Sequence, residues 1–290
     1  MAVGKIFRNP NVKSIVLGSP GISQYDSTRT QIKFGQVVIG KLIENSLEYV
    51  GVIFGEVFGS GYGYSVLAMD LNNDGMDELV VGAPFTNNNN GQVFVYWNIE
   101  MSQSNIEHKT IPLDVEKRLL LTSMKKLSNG QYGISLENIG DINKDFIQDT
   151  KENMLPNNVV YCITYNTCKE FRNSDLAVGA PFENDGTGAV YIYLGDSHQI
   201  IKLSQKIEGQ MISPDLRGYG FSIFGKNEDL DSNTYPDFIV GSVLSGHVVG
   251  MRTRPIIRVY AENMVAATDM QLPYSFDSLK KCNSNGQEMP

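Results

Sequence analysis

Three stretches of this chain place oxygen-bearing side chains at alternate positions of a short loop. Asp70, Asn72, Asp74 and Glu78 stand at loop positions one, three, five and nine. Asp229, Asp231, Asn233 and Asp237 repeat that spacing, and Asp141, Asn143 and Asp145 supply the first three positions of another copy. Alternate carboxylate and amide oxygens on a tight loop can converge on one hard cation, with the position-seven carbonyl of Met76, Ile147 or Tyr235 adding a ligand. Calcium takes six to eight oxygens, and these loops offer oxygen without histidine or cysteine. An ordinary turn also favours Asp and Asn. Gathering several carboxylates three times over, however, builds in a repulsion that a cation removes. An EF-hand is excluded, because position twelve is Val81, Glu152 or Val240, and the valines lie in apolar strand runs rather than on helices.

The loops sit inside a repeat. One copy reads YGYSVLAMDLNNDGMDELVVGAPF from Tyr62 to Phe85; another opens YGISLENIGDINKD at Tyr132 and resumes as SDLAVGAPF at Ser174. A further copy runs YGFSIFGKNEDLDSNTYPDFIVGS from Tyr219 to Ser242. Each carries Tyr-Gly, an apolar residue and Ser, then the acidic loop, then an apolar run closed by Val-Gly. SIVLGSP, from Ser14, matches only the end of the unit, with Ile6, Arg8 and Pro10 where ligands would stand. Strands of period two follow the glycines, as GQVVIG, GQVFVYW, GAVYIYL and GHVVGM. The closing glycines Gly18, Gly82, Gly179 and Gly241 are 64, 97 and 62 residues apart. A unit of about 60 residues and four strands is a propeller blade rather than a solenoid repeat. The glycine of Gly-Ala-Pro is expected to permit a backbone turn, and the proline to end the strand.

Bulk composition agrees. Of 290 residues, 41% are hydrophobic and 19% charged, and the net charge of −8 argues against a basic nucleic-acid or membrane-surface binder. No apolar run approaches a membrane span, and the start lacks the apolar core of a signal peptide, so the segment is expected to belong to something longer. His108, His198 and His247 are scattered, and no catalytic constellation is present. Cys162 and Cys168 could close a short loop, leaving Cys282 odd.

This punctuation resembles the FG-GAP repeat of integrin α subunits, and RTRPIIRVYAEN, from Arg252, is similar to that family's exit into the thigh domain. The resemblance covers most of residues 12–263. It implies an all-β fold: about three and a half blades of a seven-bladed β-propeller, followed by a truncated β-sandwich start. Residues 1–40 would end one blade, 41–251 hold three more, and 252–290 begin the thigh domain. It also implies about three structural Ca2+ sites, pairing with an integrin β subunit, and extracellular-matrix or cell-surface protein ligands. No enzyme activity and no nucleic acid are expected. The location would be the extracellular face of the cell membrane, reached only through the full-length parent. At millimolar calcium and a dissociation constant near 0.1 mM, each site would add about 1.4 kcal/mol of stability.

Several departures stand out. Loop position six, usually Gly as at Gly75, is Phe146 and Thr234 in the other copies. Residues 146–172 interrupt the middle copy without repeat character. They are expected to be a splicing or gene-prediction artefact, which transcript sequencing would check. Asp149 falls at position nine by count, but Asp175 directly precedes the strand, as Glu78 and Asp237 do, and is favoured. No Asn-x-Ser/Thr sequon is present. A glycosylphosphatidylinositol-specific phospholipase propeller or a stand-alone propeller scaffold are the alternatives.

Overall fold

The computed structural model describes residues 1–7, 13–21, 23–25, 31–43, 46–97, 99, 118–124, 129–144, 174–196, 201–254, 281–282 and 288–289. Asp145, Ile147, Asp149, the 146–172 interruption, Cys162 and Cys168 lie outside them. The chain divides into two units, Met1–Pro255 and Ile256–Pro290.

The strands of the first unit, in order, are β1 (Ala2–Gly4), β2 (Lys13–Ser19), β3 (Ser23–Tyr25), β4 (Gln31–Lys33), β5 (Gln36–Ile43) and β6 (Ser46–Phe54). They continue as β7 (Ser65–Met69), β8 (Glu78–Ala83), β9 (Gln92–Tyr96), β10 (Arg118–Thr122), β11 (Ser135–Gly140) and β12 (Asp175–Ala180). The last are β13 (Ala189–Leu194), β14 (Lys202–Glu208), β15 (Tyr219–Glu228), β16 (Asp237–Ser242) and β17 (His247–Met251). β3 and β4 form a small hairpin. The rest make four antiparallel sheets, ordered β1-β2-β5-β6, β10-β9-β8-β7, β11-β12-β13-β14 and β15-β16-β17. In the second unit the described residues form one two-stranded pairing, β18 (Lys281–Cys282) with β19 (Glu288–Met289).

Strands pair in chain order within each sheet, the β3–β4 hairpin being set apart between β2 and β5, and each sheet then hands the chain to the next. The fold is all-β, a partial propeller whose ring is open. In the first sheet Ala2–Gly4 takes the inner-strand place, and buried Ile6 and Phe7 follow where the other sheets carry acidic loops.

Core packing explains the apolar runs. Leu79 and Val81 of β8 face the first sheet's Val37 and Ile39, whereas Val80 faces the third sheet's Leu176 and Val178. Period-two strands thus bury both faces. A third cluster joins Ala177 and Val190 to Phe238 and Val240.

The closing glycines need a corrected reason. Gly18, Gly82, Gly179 and Gly241 do not adopt positive φ, so no special turn requires them. A Cβ on Gly82 would instead run into the carbonyl oxygen of Gly133, and one on Gly179 into that of Gly220. Glycine is there because the next sheet's Tyr-Gly backbone lies against it. The serine of the same motif fastens that contact. Ser65 Oγ donates to Gly133 O at 2.6 Å, and Ser135 Oγ to Gly220 O at 2.8 Å.

Candidate metal centres

Each acidic loop joins the inner strand of a sheet to its neighbour, β7 to β8, β11 to β12 and β15 to β16. The first and last share the same set of bonds from backbone amides to loop side chains. In the β7–β8 loop, Asp70 Oδ1 accepts from Asp74 N at 3.2 Å and Oδ2 from Gly75 N at 2.9 Å. Asn72 Oδ1 accepts from Asp74 N at 3.1 Å, and Asp74 Oδ1 from Met76 N at 2.8 Å. In the β15–β16 loop, Asp229 accepts from Asn233 N at 3.1 Å and Thr234 N at 2.7 Å. Asp231 accepts from Asn233 N at 3.2 Å, and Asn233 Oδ1 from Tyr235 N at 2.8 Å. Positions four and six are left-handed in both loops, at Asn73 and Gly75 and at Ser232 and Thr234. The spacing therefore curls the backbone so that positions one, three and five point inward.

Position nine closes the ring. Glu78, Asp175 and Asp237 each begin a strand and are buried. Each accepts from the position-two amide: Leu71 N to Glu78 Oε2 at 2.8 Å, Ile142 N to Asp175 Oδ2 at 2.9 Å, and Leu230 N to Asp237 Oδ2 at 2.8 Å. Asp175 thus stands at the place equivalent to Glu78 and Asp237. The other oxygen of Asp175 accepts from Gly195 N at 3.0 Å, and that of Asp237 from Thr253 N at 2.7 Å. A carboxylate oxygen holding one amide keeps a lone pair for a cation.

One carboxylate oxygen from each of Asp229, Asp231 and Asp237 falls within 4.8 Å of the others. Among the described residues this is the acidic triad that meets that spacing. In the β7–β8 loop Asn72 replaces one acid, and the charge shows in the carboxyls. Burial pushes Glu78 up to about 9, with the Asp74, Asp70 and Asp77 charges adding to it. Burial also raises Asp70, with Asp74 and Asp77 contributing. Crowded, partly buried carboxylates with hard oxygen donors suit a calcium ion. Asp141 is buried and Asn143 half-buried in the remaining loop.

Loop position eight was silent in the sequence yet links the loops. Asp77 N donates to Lys5 O at 2.9 Å, and Ser174 N to Asp70 O at 3.4 Å. Strand register puts Lys5, one residue before the Ile6 expected from spacing, at the place that Asp70 takes in the second sheet. Each loop is therefore hooked to the first loop residue of the preceding sheet. Asp196 N also donates to Leu71 O at 3.1 Å. The Asp77 carboxylate also accepts from Lys5 N, but position eight is Ser174 in the next copy, so the element common to both hooks is the backbone amide and no residue type marks the position.

Residues 62–96 match the FG-GAP repeat family. The chain is 34% identical over 227 residues to integrin alpha ina-1 of Caenorhabditis elegans, covering 72% of this chain and 17% of that protein. It is 32% identical to integrin alpha-3 of Cricetulus griseus over 91% of this chain and 21% of that protein. Integrin alpha-4 of Xenopus laevis matches at 31% over 97% and 22%. This chain belongs to the integrin alpha family. It is an integrin alpha propeller segment, spanning about a fifth of the length of the curated relatives it matches. That family membership disfavours the phospholipase and stand-alone scaffold alternatives. No described helix of this integrin alpha segment is long and apolar enough to cross a membrane.

Proposed function

We propose that this segment is a calcium-stiffened wall of an integrin alpha propeller, and that it serves cell adhesion rather than catalysis. The convergence of Asp229, Asp231 and Asp237 within 4.8 Å carries the calcium reading. Asp229, Asp231, Asn233 and Asp237, with the Tyr235 carbonyl, would hold one ion. Asp70, Asn72, Asp74, Glu78 and the Met76 carbonyl would hold a second, and Asp141, Asn143 and Asp175, together with Asp145, a third. Bound calcium would neutralise the crowded carboxylates and lock the inner strand of each sheet to its neighbour. The parent would pair with an integrin β subunit, display this segment on the extracellular face of the cell membrane, bind matrix or cell-surface protein ligands and signal. Residues 252–290 would begin the thigh domain.

The test is a thermal melt with calcium titration, in wild type and Asp229→Ala/Asp231→Ala. Millimolar calcium is expected to raise the wild-type Tm, each occupied loop adding about 1.4 kcal/mol at tenfold excess over its dissociation constant. The double variant should lose the share of its own loop. An unmoved wild-type Tm would overturn the calcium reading. Co-expression of the parent with integrin β subunits, read by co-precipitation from the cell surface, tests the adhesion role.

A further inference from the structure

The junction between the third and fourth sheets is built differently from the two before it. Those two use the position-eight amide, from Asp77 and from Ser174, as a hook to the preceding sheet. In the fourth sheet position eight is Pro236, which has no N–H to give. The same loop carries a second anomaly. Position six, Gly75 in the β7–β8 loop, is Thr234 here, held at a φ of 74° that a β-branched residue adopts only under strain.

Lys144 meets both anomalies at once. It stands at position four of the preceding sheet's loop, directly after Asn143. Its Nζ donates to Thr234 Oγ1 at 2.7 Å and lies 3.9 Å from the centroid of the Tyr235 ring. A glycine at position six would offer no hydroxyl to receive it. The departures at positions six and eight and the lysine therefore form one compensating set: the hook is lost, and a side-chain latch reaches across in its place.

We infer that Lys144 is a latch between the third and fourth sheets, and that it positions the loop of Asp229, Asp231, Asn233 and Asp237 for its cation. The second half rests on the calcium reading above. Thr234 N holds Asp229 Oδ2, and Tyr235, whose amide Asn233 Oδ1 accepts, supplies the position-seven carbonyl. A latch on Thr234 and Tyr235 thus fixes both neighbours of the ion before it arrives and lowers the ordering cost of binding. Lys144 is a positioning residue and no ligand. Among the described residues, other tethers on this loop include Arg252, whose Nη1 is 4.0 Å from Asp231, and Thr253, whose carbonyl accepts from Asn233 Nδ2 at 2.8 Å.

The test is amide hydrogen exchange of the peptide covering residues 228–236, followed in the intact protein across a calcium series. Wild type is compared with Lys144→Met, Lys144→Arg and the double variant Lys144→Met/Pro236→Ser. Without calcium, Lys144→Met should exchange roughly three- to tenfold faster than wild type in this peptide, the scale of one net hydrogen bond. Its calcium midpoint should rise by a similar factor. Lys144→Arg keeps the charge and the donor and should stay near wild type. Pro236→Ser restores an amide at position eight, as in Ser174, and should return the double variant towards wild type without the lysine.

Unchanged exchange in calcium-free Lys144→Met would overturn the latch. A calcium midpoint that falls in Lys144→Met would show the lysine to be only a repelling charge and would overturn the positioning role. A wild-type peptide that ignores calcium altogether would sink the calcium reading and the positioning role with it, while the calcium-free comparison still decides the latch.

Discussion

The tyrosine that opens each repeat is buried to its hydroxyl, so its hydrogen bond decides whether that burial helps. Tyr62 donates to Tyr96 at 2.8 Å, and Tyr132 shares a 2.7 Å bond with Tyr193. Tyr96 ends the third strand of its sheet and Tyr193 stands next to the end of the third strand of its own. In the fourth sheet that place is Met251, and the hydroxyl of Tyr219 finds no partner among the described residues. A buried unpaired hydroxyl costs about 1–3 kcal/mol, whereas a paired one gives about 1 kcal/mol net. Tyr132→Phe should therefore lower stability by about 1–2 kcal/mol in chemical denaturation. Tyr219→Phe should leave stability unchanged or raise it by up to about 1 kcal/mol. Equal losses in the two variants would show that the hydroxyl bond is not what distinguishes them. The repeat of Tyr-Gly was legible in the sequence, but this difference was not, because the deciding partner lies 61 residues away in one copy and is absent in another.

At the scale of strands, the junctions rest on the closing glycines and the serines that face them. Gly82 and Gly179 each lie against the next sheet's backbone, which cannot move aside as a side chain can. Gly241 differs: a Cβ there would meet the Ser222 hydroxyl, a group free to rotate. Gly82→Ala or Gly179→Ala should then cost more than about 2 kcal/mol through forced displacement of the junction. In the same segment Gly241→Ala should cost under about 1 kcal/mol. Thermal melts of the three variants give the ranking, and a Gly241→Ala as damaging as the others would contradict the close-approach account. Composition and spacing showed that glycine recurs at the end of each apolar run, and the natural local reading was a turn. Its true partner, the Gly133 carbonyl, lies 51 residues further along the chain, beyond any local rule. The acidic loops were legible because their geometry is local: every bond that curls them spans two to five residues. The position-eight hooks and the Lys144 latch were not, since the hooks join loops 72 to 104 residues apart through backbone amides, with the Asp77 carboxylate adding to one, and the latch spans 90 residues by a side chain.

At the scale of the molecule, each sheet buries one face against its predecessor and offers the other to its successor. In the second sheet the face towards the third carries Val80 and Val93, both fully buried. The matching residues of the fourth sheet are Ile239 and Val248, and beside them Phe224 takes the place of Leu67. Among the described residues nothing covers that face: Phe224 is 58% exposed and Val248 73%. An apolar row next to an open strand edge seeks a partner sheet, so the isolated segment is expected to self-associate through it. Sedimentation velocity across a concentration series should show mass growing with concentration. Phe224→Glu/Val248→Lys places charge on that face without touching the three buried junctions, and should shift the segment towards monomer while leaving its Tm within a few degrees. Calcium should raise the Tm of both proteins alike, because the acidic loops lie at the ends of the strands rather than on the open face. Self-association that survives the charged pair would move the adhesive surface elsewhere, with the exposed edge of β6, where Leu47 and Tyr49 face solvent, the next place to substitute.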